Sequence, residues 1–305
     1  MIAPGVGRGP VPLVAVERGG VVESVHLGSV AVVDAGGRLV ASAGDPDVPT
    51  WTRSALKPLQ ALPFVAAGGP ARFGYDEVDV ALMCASHSGE ARQQAVVASM
   101  LARAGLTPAD LGCGAHAPYV YDNLGESPPP PPYSPLGHNC SGKHAGMLAC
   151  CVLHGWPTAS YLEPEHPLQA AIRSAVARRT GVDESALAAG IDGCSAPNYA
   201  MPLAGLARAY AGLARPAGCG ADAAALETMR GAMTRWPEYV SGPRRGDLVL
   251  ARAGRGDWVA KVGAEGVQAI GIASAGLGIA IKVADGAGRA VLPAALAVLD
   301  ALGLL

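Results

Sequence analysis

The stretch "ESPPPPPYSPLGHNCSGKH", residues 126 to 144, decides which folds are open to this chain. Gly137, Gly142 and Lys143 stand where a phosphate-binding loop of the form G-x-x-x-x-G-K-[ST] would place them. His144 replaces the hydroxyl residue that would hold magnesium. A phosphate loop leaves a central strand and opens a helix. Here the approach is five prolines, 128 to 132, followed by "YSPLGHN". Proline lacks the N–H a ladder needs and fixes φ, so no central strand precedes the motif. The missing strand and hydroxyl argue against a nucleotide site and leave metal binding as the better reading. The segment reads instead as a stiff loop entering a buried helix, "KHAGMLACCVLHG".

Outward from this loop, the Val-rich runs 12–17, 21–34 and 38–43 are broken by Gly-Gly at 19–20 and 36–37, which predicts an antiparallel meander. A helical pattern runs from Ser54 to Ala67, with Pro58 in its first turns, where proline is tolerated. Helical spacing returns at 74–83, 90–104, 166–180, 198–214 and 221–235. Strand-like runs follow at 247–253, 257–262 and 267–285, and an apolar helix at 288–303 closes the chain. This order predicts an α/β (α+β) fold. A mainly antiparallel sheet comes from about 10–45 and 245–300, packed with a helical region of about 54–240, all in one domain over 1–305.

Composition narrows the function classes. Half of the 305 residues are apolar and 16% charged, with 41 Gly, 25 Pro and two Phe, so the core must be mainly Ala, Val and Leu. A net charge of −2 without a basic block argues against nucleic acid as a partner. No leader pattern opens "MIAPGVGRGPVPLVAVERGG", and no apolar run is long enough for a membrane span; the expectation is a soluble, cytoplasmic protein. Seven cysteines in a long chain read as free thiols rather than a disulfide framework.

Four short motifs carry chemistry. In "RSALKP", Ser54 and Lys57 lie three apart and share a helix face. A desolvated lysine there loses its proton more easily and can activate the serine, although a capping Ser beside a solvated Lys is the plain alternative. "CASHSGE" offers Ser86 as a second site serine or as a helix cap. "VAKVGAEG" sets Lys261 on a strand edge, as partner to Ser86 or as a surface charge. S-x-x-K early and K-x-G late is the arrangement of serine β-lactamases and penicillin-binding proteins, with Val262 where their third box has Thr. Cys140 and Cys194, with Lys143 or His144 as a nitrogen donor, suit zinc; two structural thiols are the competing reading. Asp192 can hold a substrate ammonium or close an Asx turn, and Arg53 can hold a carboxylate or stand in solvent.

Taken together, "RSALKPLQALPFV", "CASHSGE", "NCSGKHAGMLA", "IDGCSAPNYAMPLAGLA", "AKVGAEGV" and "GLGIAIKVADG" resemble the asparaginase II family, the thermolabile type of L-asparaginase, in order from about residue 12 to 300. The resemblance implies a fold akin to serine β-lactamases and glutaminases, a homodimer, and hydrolysis of L-asparagine to L-aspartate and ammonia. It implies two serine–lysine pairs, Ser54 with Lys57 and Ser86 with Lys261, and zinc held by Cys140, Lys143 and Cys194. Arg53, His144 and Asp192 match positions lining the substrate pocket. The chain departs from the family pattern at Val262, at Pro58 and in the long Pro-rich loop 128–135. Rival readings are a glutaminase or penicillin-recognising acyl-serine hydrolase, and a non-catalytic zinc-dependent amino-acid-binding protein.

Overall fold

The structure is a computed structural model and describes residues 9–305. The leader reading therefore lies partly outside the described residues. Nine strands form two sheets among these residues: β1 (Val11–Arg18), β2 (Val21–Asp34), β3 (Leu39–Ala43), β4 (Pro49–Trp51), β5 (Ala188–Ile191), β6 (Pro197–Pro202), β7 (Trp258–Gly263), β8 (Val267–Ile272) and β9 (Leu277–Val283). The larger sheet has the order β1-β2-β9-β8-β7, with β3 also on β2. All its pairings are antiparallel. The N-terminal meander thus joins the C-terminal strands through β2 and β9, where Val30 faces Ile281. The smaller sheet is β4-β6-β5.

The helices are α1 (Lys57–Ala66), α2 (Gly69–Phe73), α3 (Glu77–Met83), α4 (Ala91–Arg103), α5 (Tyr119–Leu124), α6 (Ser141–His154), α7 (Pro167–Thr180), α8 (Leu203–Ala214), α9 (Ala223–Arg235), α10 (Pro237–Val240), α11 (Gly246–Ala253) and α12 (Gly288–Ala301). The larger sheet separates two cores. Its outer face turns Val30, Val32, Ile270, Ile279 and Ile281 against Ala294, Ala295 and Leu299 of α12. Its inner face carries smaller residues, Ala31, Ala269 and Ala280, under the helical body. Strand side chains alternate between faces, so one run of Val, Ala and Ile serves both cores. Each fully buried Ile or Val contributes about 1.5–3 kcal/mol. The small inner face lets α8 lie close: a Cβ at Gly278 would sit 1.9 Å from the Ala207 carbonyl oxygen.

Three expectations change. Residues 247–253 form a helix, α11, not a strand. The helix expected over 198–214 is split: 197–202 is strand β6 and only 203–214 is helical. The smaller sheet was not expected at all. The loop reading of the Pro-rich stretch holds: after it comes a short 3₁₀ turn, Pro135–Gly137, and then α6. Gly142 has a packing task there. A Cβ would lie 2.4 Å from the Leu82 carbonyl oxygen, so the glycine lets α6 approach α3.

Candidate active site

Ser54 sits in a 3₁₀ turn, Arg53–Leu56, that leads directly into α1. The turn is entered through Arg53 at φ 48°, a conformation costly for a residue with a side chain. Asn198 of β6 holds that conformation in place. Its Oδ1 accepts from the Arg53 N–H (3.0 Å) and the Thr52 hydroxyl (3.2 Å), and its Nδ2 donates to the Arg53 carbonyl (3.0 Å). Asn198 lies inside a stretch already marked for Cys194, yet spacing alone gave it no role. Half-buried Ser54 opens onto a cavity of about 230 Å³ together with Arg53, Asp192, Cys140, Cys194, Tyr119 and His138.

Lys57 and Ser86 lie deeper, both 2% exposed. Sequence spacing pairs Lys57 with Ser54; the hydrogen bond recorded in the fold goes to Ser86. The Lys57 amine donates to Ser86 Oγ (2.8 Å) and to the carbonyls of Ala85 (2.6 Å) and Asn139 (3.4 Å). Burial pulls its pKa below the ordinary lysine value, against the raising effect of Cys140. Ser86 is not a helix cap: α4 starts after Glu90, whose N–H donates to Gln93 Oε1. Ser86 lies outside any helix or strand, its N–H bonded to the Val240 carbonyl.

Lys261 is fully buried, on β7. Its amine bonds Asp247 Oδ2 (3.3 Å) and the Val262 carbonyl (2.9 Å), not Ser86. Burial lowers its pKa to about 8, with the Lys57 charge adding to the effect and Asp247 opposing it. Asp247 shows the reverse balance: burial works against its charge, but Lys261 holds it ionised below the usual carboxylate value. The strand reading of 247–253 hid Asp247, because its position at the start of α11 is what turns it toward Lys261.

Arg53 and Asp192, expected to take opposite ends of a substrate, pair with each other: Arg53 Nε and Nη2 lie 2.9 and 2.8 Å from Asp192 Oδ1. Asp192 Oδ1 also accepts from the Gly193 N–H, one residue on rather than the two of an Asx turn, and the turn is closed by the Ser195 N–H on the Asp192 carbonyl. Behind this pair, Lys143 donates to Cys194 Sγ at 3.0 Å. The neighbouring Cys194 side chain holds Cys140 well below the ordinary thiol value against the effect of burial, with Lys57 and Lys143 adding to it. Burial opposes the Lys143 charge, but the Cys194 and Cys140 sulfurs outweigh it and raise its pKa. His144 bonds the Tyr161 hydroxyl through Nδ1 (2.6 Å). Its buried Nε2 has no hydrogen-bond partner, and burial lowers the ring to about 4, leaving it neutral.

Two sulfurs, and a lysine nitrogen that would have to give up its proton to bind a metal, make a soft donor set of the kind zinc takes. Among the described residues, no three of His, Cys, Asp and Glu are grouped to hold a metal ion. A zinc here would therefore need Lys143 as well as the two thiols. The residues fit such an ion in chemistry.

No described helix is long and apolar enough to cross a membrane. The solved structures that the chain resembles include a β-lactamase from Mycobacterium bovis, 18% identical, covering 91% of this chain and 95% of that one at a TM-score of 0.46. They also include Mglu in its glutamate form, 16% identical, covering 91% of this chain and 61% of that one at a TM-score of 0.39. The chain thus spans about three fifths of Mglu. No curated protein sequence matches it. The sequence profile of L-asparaginase II, in contrast, matches residues 14–305, a span that holds every site residue described above. This chain belongs to the L-asparaginase II family.

Proposed function

We propose that the chain is an L-asparaginase, hydrolysing the side-chain amide of L-asparagine to L-aspartate and ammonia by a serine–lysine mechanism. Family membership carries the coarser statement, an amidohydrolase. The observation that supports the finer one is the meeting of Ser54 with the Arg53–Asp192 ion pair in one small cavity. A guanidinium beside a carboxylate matches an α-amino acid: Arg53 takes the α-carboxylate and Asp192 the α-ammonium. The side-chain amide then lies toward Ser54.

Ser54 attacks the amide carbonyl as Lys57 takes its proton. The i, i+3 spacing across a 3₁₀ turn eclipses the two side chains, and a buried lysine with a lowered pKa can be neutral. Ser86, bonded to Lys57, keeps the amine in place and carries protons between it and the cavity. The Lys57 ammonium returns that proton to the departing nitrogen, ammonia leaves, and water attacks the aspartyl ester with Lys57, Ser86 and Lys261 supplying the base. Cys140, Lys143 and Cys194 would hold zinc, with His144 alongside. When bound, the ion supplies a Lewis acid and a template for the substrate.

The test is ammonia release from L-Asn, L-Gln and D-Asn, with bound metal measured in the same sample. Preference for L-Asn supports the proposal. Equal turnover of L-Gln points to a glutaminase, since the two substrates differ by one methylene and pocket depth alone separates them. Binding of an amino acid with no ammonia release identifies a binding protein and ends the enzyme reading.

A further inference from the structure

The geometry points to a second amino-acid subsite beside the first, from which a free α-amino acid intercepts the acyl-enzyme; the chain would then be a β-aspartyl transferase as well as a hydrolase. This rests on the proposed acyl-serine mechanism. The subsite is a cavity of about 280 Å³, bounded by Arg245, Ala264, Glu265 and Gln268 among others. Ala264 also lines the cavity of Ser54, so the two share a wall. A second link is Arg245, whose guanidinium carbon lies 5.9 Å from the ring centroid of Tyr119, itself a lining residue of the Ser54 cavity.

Both charges at this second cavity lack a bonded partner. Half-buried Arg245 makes no side-chain hydrogen bond or ion pair among the described residues, its aromatic contact with Tyr119 apart. The acid nearest in sequence, Asp247, is taken up by Lys261 (3.3 Å) and Gln268 (3.2 Å). Glu265 likewise has no hydrogen bond or ion pair through its carboxylate. Lys282, the cation whose charge it feels, spends its ammonium on the carbonyls of Glu265 and Val283. Glu265 is also held at φ 60° in the β7–β8 turn, a left-handed conformation that favours glycine. A strained acid with no bonded partner, lining the same cavity as a half-buried arginine in the same condition, matches an ammonium and a carboxylate of one ligand.

The acceptor this arrangement fits is an α-amino acid with a basic side chain. Arg245 takes its carboxylate, Glu265 its side-chain cation, and the α-amine points past Ala264 to the ester. The amine nitrogen bonds the acyl carbon as the bond from that carbon to Ser54 Oγ breaks. One proton passes from the amine through Lys57 to the serine oxygen. The products are a β-aspartyl dipeptide and free Ser54, and no further reactant is needed. Water and acceptor compete for one ester, so the ratio of dipeptide to aspartate is independent of how fast that ester forms.

The experiment supplies isotope-labelled L-asparagine with L-arginine, glycine or L-glutamate as acceptor, and reads ammonia, aspartate and dipeptide by mass spectrometry at initial rates. The expected ratio of dipeptide to aspartate, at equal acceptor concentration, is about tenfold lower with L-glutamate than with L-arginine. Glu265→Gln and Arg245→Gln should each lower it about tenfold. Glu265 is exposed in a turn, so its variant tests the subsite even if the Arg245 variant fails to fold. A ratio that ignores acceptor charge, or that both variants leave unchanged, overturns the subsite. Ammonia release without dipeptide overturns the transferase alone; no ammonia release overturns the hydrolase and the transferase together.

Discussion

The Lys57 amine lies 2.8 Å from the Ser86 hydroxyl, and both residues are cut off from solvent. Lys57→Met removes the proton acceptor and leaves Ser86 Oγ and the Ala85 carbonyl without their donor. The fold should lose about 1–3 kcal/mol in chemical denaturation. Ammonia release should fall about 10²- to 10⁴-fold. Retained turnover in a folded variant would remove Lys57 from the base role.

The two serines should separate by the step they affect. Ser54→Ala loses the attacking oxygen, so no covalent aspartyl adduct should form and ammonia release should vanish while the melting temperature holds. Ser86→Ala should still form the adduct, more slowly. Rapid quenching and intact-protein mass spectrometry distinguish them; an adduct in the Ser54 variant would transfer the nucleophile's role to Ser86.

Lys261 gives the pH dependence its direction. Its pKa, lowered to about 8 by burial and the Lys57 charge and held up by Asp247, lies below the ordinary lysine value. Cys84 and Arg245 are the other titratable or charged groups that feel it or act on it. If neutral Lys261 is needed, kcat rises with pH through about 8. Asp247→Asn removes the group that holds the proton, so the rising limb should move to lower pH. The same variant leaves a buried ammonium unpaired and should cost about 3–5 kcal/mol of stability. A limb that stays in place assigns it to another group.

Metal removal separates positioning from chemistry. Chelation should release one zinc per chain by elemental analysis and lower the melting temperature, because Cys140, Cys194 and Lys143 are left facing one another. If the ion mainly orients substrate, KM rises and kcat holds; a collapse of kcat at constant KM contradicts that role. Protein purified in excess zinc yet free of metal contradicts the site itself.

Asn198→Ala tests the strained entry to Ser54. Three hydrogen bonds to Thr52 and Arg53 disappear and the backbone can leave φ 48°. The loss should be about 1–3 kcal/mol in stability. The kcat should drop as well, since Ser54 follows directly on the residue that moves. Unchanged kcat would make Asn198 a purely structural residue.

Much of the scaffold was legible because its punctuation is local. Gly-Gly pairs fixed the ends of β1, β2 and β3, and five prolines ruled out a strand before α6. What failed was segments buried on every side. Residues 197–202 are apolar or fully covered, so no alternation separates strand from helix. Residues 247–253 carry Leu248, Leu250 and Ala251, a pattern that satisfies both periods. The site residues were named by their chemistry, but their partners were not. Spacing shows that Lys57 can reach Ser54; only the fold shows it bonded to Ser86, or shows Lys261 held by an aspartate from a misread helix.

The pairing of β2 with β9 has a consequence for biosynthesis. Partners such as Val30 and Ile281 are about 250 residues apart. The first strands to leave the ribosome must therefore wait, with one edge open, until nearly the whole chain has been made. Lys261 reaches its place only when β7 joins that sheet. Catalytic competence should thus arrive late and all at once, and a nascent chain stalled before β9 should carry the hydroxyls and thiols of the site without being able to use them.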